Sequence, residues 1–324
     1  MNASTRTFIQ PTLRHCAPVL AMLGALVLVC PPAATAGADD NEGPCSKTAE
    51  AMRIACGNEV RGDYWVAIAN CINLSSDRHE CREDARGERD EGAEDCDDQL
   101  QARNEVCDDL GQARYDPEIN PDDFVSPAQA AADPNPFMPL VPGSEWVYQG
   151  DGEMVTVTVT GETKEILGVL CTVVRDVVTQ GGVPVEDTLD WFAQDEDGNV
   201  WYMGELSQEF EDGELKSLEG SWQAGVDGAK PGIVMPASPQ VGDIYRQEFF
   251  LGDAEDMAEV VSLTGDDSAP AADCNGACLV VEETTPISPD ALEHKFYVAG
   301  TGLILEVDPE TGEHGIELIS VNIP

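Results

Sequence analysis

Six cysteines between residues 45 and 107 constrain this chain more than any other feature. They stand at Cys45, Cys56, Cys71, Cys81, Cys96 and Cys107, with successive separations of 11, 15, 10, 15 and 11. The spacing is the same in both directions. A chain that folds back at Ser76 brings Cys45 to Cys107, Cys56 to Cys96 and Cys71 to Cys81, and the residues around that point, Asn73 to Asp77, are turn formers. Steps of 11 and 15 residues return on a helix to within about 20° and 60° of the starting direction, so each arm carries its three cysteines on one face. Six cysteines allow 15 connectivities in principle, and the nested one alone uses the symmetry. The sequence therefore predicts an antiparallel helical hairpin over residues 37–114, laddered by three disulfides.

The arms show why a ladder is needed. The second, EDARGERDEGAEDCDDQLQARNEV, has few apolar residues and two glycines, Gly87 and Gly92, so it cannot bury enough surface to hold itself. Each crosslink supplies roughly 2 to 4 kcal/mol in place of a core. The first arm is more apolar. Tyr64, Trp65 and Ile68 exceed what a polar partner can cover, and they are expected either to pack inside the hairpin or to dock on the rest of the chain or on another protein. Zinc is disfavoured, because the closest cysteine spacing is ten. The spacing resembles that of small helical-hairpin proteins with twin cysteine motifs; this resemblance is in spacing alone and implies a scaffold.

Residues 1–36 have the layout of a secretory signal: Arg6 and Arg14, an apolar run from Ala17 to Cys30, then Ala34-Thr35-Ala36. Cleavage is expected after about Ala36, giving a secreted protein, periplasmic or extracellular, in a compartment where disulfides persist. The bulky Val29 before Cys30 disfavours lipoprotein processing. The apolar run is shorter than the ~20 residues of a spanning helix, and no transmembrane segment is expected in the mature chain. With 62 acidic residues against 17 Lys plus Arg and a net charge of −45, nucleic acid is excluded as a partner. Such acidity suits solubility in salty surroundings, a halophilic adaptation, or capture of cations.

A Pro/Asp-rich stretch at 115–142 reads as a linker that disfavours helix and strand. Beyond it, eleven short β-branched or aromatic segments alternate with turn signals through 143–324, from EWVYQG to IELISV. The fold class expected is α+β in separate domains: the hairpin, then an all-β antiparallel barrel or strongly curved sheet. In Met154–Thr160 strict alternation gives one apolar face. MPLVPGSEWVY (138–148) and MPASPQVGDIYRQEF (235–249) echo one another, which suggests two similar halves.

The segments NPFMPLVPGSEWVYQG, DTLDWFAQDEDGNVWYMGE, VGDIYRQEFF and EHKFYVAGTGLILEV resemble uncharacterised bacterial exported β-domains over roughly 135–324. That resemblance implies fold and export, and no enzyme.

Candidate chemistry is sparse. Asp195, Asp197, Asn199 and Glu205 offer oxygens to calcium, but glycine falls fourth in the run where an EF-hand loop wants it sixth, and a plain hairpin turn competes. No other cofactor is suggested. Cys274 and Cys278 suggest a local disulfide, and Cys171 a buried inert thiol. His79, His294 and His314 are too scattered to build a Ser or Cys triad, so no catalytic residue is assigned. Trp146, Trp191, Trp201, Trp222, Tyr245, Phe250 and Phe296 fit a core, or the lining of a cavity. The function expected is an exported, acidic, non-enzymatic binding or interaction protein of the cell envelope or extracellular space. The alternatives are a carrier of a lipid or other apolar ligand, a secreted hydrolase using paired carboxylates, and a calcium-binding surface protein.

Overall fold

The computed structural model describes residues 43–150 and 152–324; the signal sequence expected at 1–36 lies outside them. Two long helices come first, α1 (Pro44–Asn73) and α2 (Arg78–Leu110). Pro44 starts α1 at a position where its missing N–H is not needed. The turn between the helices contains Ser76, and Asp77 adopts φ 58° as α2 begins. Cys45–Cys107, Cys56–Cys96 and Cys71–Cys81 form three rungs with Cα separations of 5.7, 5.8 and 5.6 Å. The nested ladder predicted from the spacing is the one observed.

The buried positions of the hairpin are mostly small residues and cysteines, Ala49, Cys71, Ala85, Gly92, Cys96 and Cys107. A Cβ at Gly92 would meet Val60 Cγ2 at 3.0 Å, so this glycine is a close-packing contact between the helices as well as a weak helix former. Tyr64 lies under the Arg89 guanidinium of α2, 5.0 Å from the ring centre. Trp65 points outward at 61 % exposure. The two aromatic neighbours thus divide between the expectations, one inside the hairpin and one facing solvent. Among the described residues no helix is long and apolar enough to cross a membrane.

The stretch at 115–142 is more structured than its composition suggests. A 3-10 turn (Pro121–Asp123) and a six-residue helix, α3 (Pro127–Ala132), lie within it, the latter opened by Ser126, whose N–H donates to Gln129 Oε1 at 3.0 Å. Proline at the first helical position favours initiation, and six residues are too few for the remaining prolines to interfere.

A five-stranded meander follows: β1 (Glu145–Gly150), β2 (Glu153–Ile166), β3 (Val169–Gln180), β4 (Val183–Gln194) and β5 (Val200–Leu206). Shorter pieces come next, β6 (Glu209–Glu211), β7 (Glu214–Ser217), β8 (Trp222–Gln223), β9 (Lys230–Met235), β10 (Ile244–Arg246) and β11 (Glu248–Phe249). The chain ends with β12 (Met257–Gly265), the small hairpin β13 (Ser268–Ala269) and β14 (Ala272–Asp273), then β15 (Cys278–Thr284), β16 (Leu292–Val298), β17 (Gly302–Val307) and β18 (His314–Asn322).

One antiparallel path runs β10-β12-β15-β16-β17-β18-β1-β2-β3-β4-β5-β9-β11. Its two terminal strands are separated in the chain by Gln247 alone. Strands that close in sequence cannot sit at opposite ends of a flat sheet, so the sheet curls into a nearly closed barrel. Inside it pack Trp146, Val159, Val174, Leu279, Ile304, Leu305 and Leu318. A second cluster, with Ile166, Trp191, Met203 and Trp222, is covered in part by Ile119 and Phe124 of the 115–142 stretch.

Candidate functional site

The two echoing segments adopt the same hydrogen-bonded frame. Gly143 N donates to Val159 O at 2.8 Å and Val159 N to Ser144 O at 3.0 Å; in the second half Gly242 N donates to Val260 O at 2.8 Å and Val260 N to Asp243 O at 2.9 Å. From this shared start the strand register stays in step. Asp176 on β3 faces Val157, as Glu283 on β15 faces Ala258. Asp190 on β4 faces Val174, as Lys295 on β16 faces Val281. Glu205 on β5 faces Asp190, as Glu306 on β17 faces Lys295. Both halves carry a bulge beside that last pair, between Asp190 and Phe192 in one and between Phe296 and Tyr297 in the other. Gly204 makes the first bulge possible, at φ +129° with a Cβ that would fall 2.4 Å from Trp222 O.

The two equivalent triads differ in charge at one position, since Asp176 and Glu283 are both acids and only Asp190 and Lys295 differ in sign. In the second half, Lys295 Nζ lies 2.5 Å from Glu283 Oε2 and 3.5 Å from Glu306 Oε1. Those carboxylates hold its pKa well above the usual lysine value, against the burial that lowers it. In the first half the central position is Asp190, so three acids converge, and none of them pairs with a Lys or Arg among the described residues. Tyr202 OH donates to Asp190 Oδ1 at 2.6 Å. Burial, reinforced by Asp190 and Glu186, pushes Asp176 up to about 8. Burial and then Asp190 do the same for Glu205, also to about 8. Asp190 rises to about 6 through burial, with the Tyr202 hydrogen bond opposing.

The triads lie close enough for Glu306 to add to the rise at Asp176, and they form one chamber of buried polar side chains among the strands. Glu186, Glu248 and Asp256 complete its acidic wall; burial is the largest influence on Glu248, with Asp256 and Glu205 next, and it raises Glu248 well above the usual carboxylate range. Glu248 engages Trp222 and Asp256, and Asp256 engages Thr285, whereas Asp176 Oδ1 and Tyr245 OH are buried with no hydrogen-bond partner. Native interiors leave few such groups unsatisfied, so Asp176 Oδ1 is an acceptor open to a further donor.

Raised carboxyl pKa values link this chamber to stability. Asp176 and Glu205 bind protons more tightly folded than unfolded, so the folded state holds more protons between the ordinary carboxylate range near pH 4 and about pH 8. Stability is then greatest at the acid end of that window and falls as pH rises through it, by up to about 1.4 kcal/mol per pH unit for each group. Urea midpoints between pH 5 and 8 are expected to decrease with pH, and Asp176→Asn to flatten the slope. Equal slopes in both proteins would show that Asp176 is not a buried proton reservoir.

Most of the residues singled out in the sequence fall elsewhere. Asp195 Oδ1 accepts from Asn199 N, and Oδ2 from Asn199 Nδ2 and Trp201 Nε1, each at 2.8 Å. The aspartate therefore caps a hairpin turn, while Asp197 is exposed and Glu205 lies in the chamber. Among the described residues no group of three His, Cys, Asp or Glu is arranged to hold a metal ion. Cys274–Cys278 is a disulfide. Cys171 is fully buried and its thiol is pushed up to about 12, chiefly by burial, which keeps it an inert thiol near neutral pH. His79, His294 and His314 each pair with acids on their own element or a neighbouring strand and do not meet. Of the aromatic candidates, Trp146, Trp191 and Trp222 are core, and Trp222 and Tyr245 also border the acids, Trp222 at Glu248 and Tyr245 near Glu283.

Asp176, Asp190, Glu248 and Lys295 were missed by motif reasoning, and Glu205 was singled out for calcium in company with Asp195, not with these residues. A signal was present: Asp176 shares the inward phase of Val174, and Lys295 that of Tyr297. A charge in the apolar phase of a strand is uncommon without a purpose. The four disulfides fit an extracellular or periplasmic protein. No protein-family model, no curated protein and no solved structure matches this chain, so the chamber is interpreted through its own chemistry.

Proposed function

We propose that this chain is an exported binding protein whose barrel takes up a primary ammonium group, with Asp176, Asp190 and Glu205 as its acceptors. One observation carries this reading: the equivalent triad of the other half already holds an ammonium, Lys295 Nζ, between Glu283 and Glu306. A ligand ammonium in the first half would complete the same arrangement and supply the missing counter-charge. Buried carboxylates without a partner are unfavourable, and they gain most from a cation that arrives with N–H donors. The stacked rings of Phe192 and Tyr202, with centroids 4.7 Å apart, give the flank of the site a face suited to the ligand's carbon chain. An apolar carrier is less well supported, because the apolar part of the interior is filled by Leu279, Ile304, Leu305 and Leu318.

The test uses n-butylammonium, which reproduces the lysine side chain. Titration calorimetry at pH 7 should show binding with proton release, visible as an enthalpy that depends on buffer ionisation heat, because the cation lowers the pKa of Asp176 and Glu205. Affinity should rise from pH 6 to 8. Asp190→Lys places a lysine between two acids, as Lys295 stands in the second half; it is expected to abolish binding and to stabilise the free protein at pH 8 by about 1.5 to 3 kcal/mol. Absence of binding by the wild type, or unchanged binding in Asp190→Lys, would refute the reading. So would tighter binding of calcium than of the amine.

A further inference from the structure

Where the helical hairpin meets the barrel there is a cleft of about 380 Å³, and its charge is the reverse of the chain's. Arg103, Arg114, Lys230 and Arg246 line it, four of the 17 lysines and arginines in a chain with 62 acids, with Lys230 paired to Asp116 at 2.5 Å. The sole carboxylate residue in its wall among the described residues is Glu255. That group is already used: it accepts from Arg103 Nη2 at 2.7 Å, from Arg103 Nε and from Gly252 N at 2.9 Å.

Arg246 is the informative member. It is 9 % exposed and forms no ion pair among the described residues. The rings of Tyr115 and Phe249 lie 5.3 and 5.0 Å from its Cζ, and its one hydrogen-bond contact is Nη1 to Met257 Sδ at 3.8 Å. Two aromatic faces hold the guanidinium in place without satisfying its N–H groups. Glu255 is the nearby counter-charge, but its hydrogen bonds go to Arg103 and Gly252, so the buried, oriented guanidinium of Arg246 lacks an acceptor of its own and suits a planar anion that accepts two parallel hydrogen bonds. Val106, Leu110 and Leu251 supply apolar wall beside it.

We infer that this cleft is a second binding site, for an organic carboxylate with a short apolar body, in which Arg246 binds the carboxylate and Arg114 supplies further positive charge at the mouth. The site is separate from the acidic chamber and stands whether or not that chamber binds amines.

Octanoate is the probe, with acetate and 1-octanol as the head-only and tail-only controls, measured by calorimetry on the full chain. Octanoate should bind at least tenfold more tightly than either control. Arg246→Gln should weaken it tenfold or more, and Arg114→Glu, a change at an exposed position, severalfold. Circular dichroism establishes that each variant is folded; if Arg246→Gln does not fold, Arg114→Glu decides. Octanoate binding no better than octanol, or affinity unchanged in the folded variants, would overturn the assignment.

Discussion

Full reduction of the three hairpin disulfides is expected to melt residues 44–110 while the barrel stays folded. The three rungs close loops of 62, 40 and 10 residues, which taken singly correspond to about 4, 4 and 3 kcal/mol of restricted unfolded chain. Little else holds the helices together, since the buried residues between them are alanines, a glycine and the cysteines themselves. Such small side chains bury too little apolar area to offset the entropy of ordering two helices of 30 and 33 residues. Loss of most far-ultraviolet helical signal on reduction, with unchanged fluorescence from buried Trp146, Trp191 and Trp222, is the expected result. Cys56→Ala/Cys96→Ala should have a partial effect, lowering the hairpin melting transition without removing the helices. Retention of full helicity in a sample shown by mass to be reduced at all six sites would mean that packing, and not the ladder, supports the hairpin.

Glu255→Gln is expected to destabilise the protein by about 3 to 5 kcal/mol, far beyond the ~0 to 1 kcal/mol of a surface pair. The Arg103–Glu255 pair joins α2 to the barrel with side chains 6 % and 2 % exposed. Removing the carboxylate leaves Arg103 buried next to Arg246, with no anion near either. The direction of a double change separates this from ordinary packing loss. Arg103→Met with Glu255→Leu removes both charges together, and it should recover most of the lost stability. Urea midpoints check the magnitudes, and amide exchange along residues 99–110 should quicken in Glu255→Gln. A single-site loss near that of an exposed pair, or a double variant worse than the single, would show that the contact does not anchor the hairpin.

Helical hairpin and covalent ladder were legible in the sequence because both follow from local periodicity. A helix repeats every 3.6 residues and a disulfide needs two matched sites, so palindromic spacing leaves one economical solution. The eleven apolar segments likewise became strands of the barrel, since turn residues bound them clearly. β9 escaped notice because Lys230–Met235 contains Pro231 and Gly232, which argue against a strand; it is tolerated near the open end of the path, and Gly232 is needed where the backbone of Gln247 passes within 2.4 Å of its missing Cβ.

By itself, then, the amino-acid order determined the elements, the crosslinks and the faint echo between halves. Only the tertiary structure decided that Asp176, Asp190 and Glu205 converge, that Lys295 stands where Asp190 does, and that four scattered cations share one cleft. Those facts depend on register between strands far apart in the chain, shifted by bulges that change which side chains face inward. Register is set by packing of the whole sheet, and no local pattern of residues specifies it.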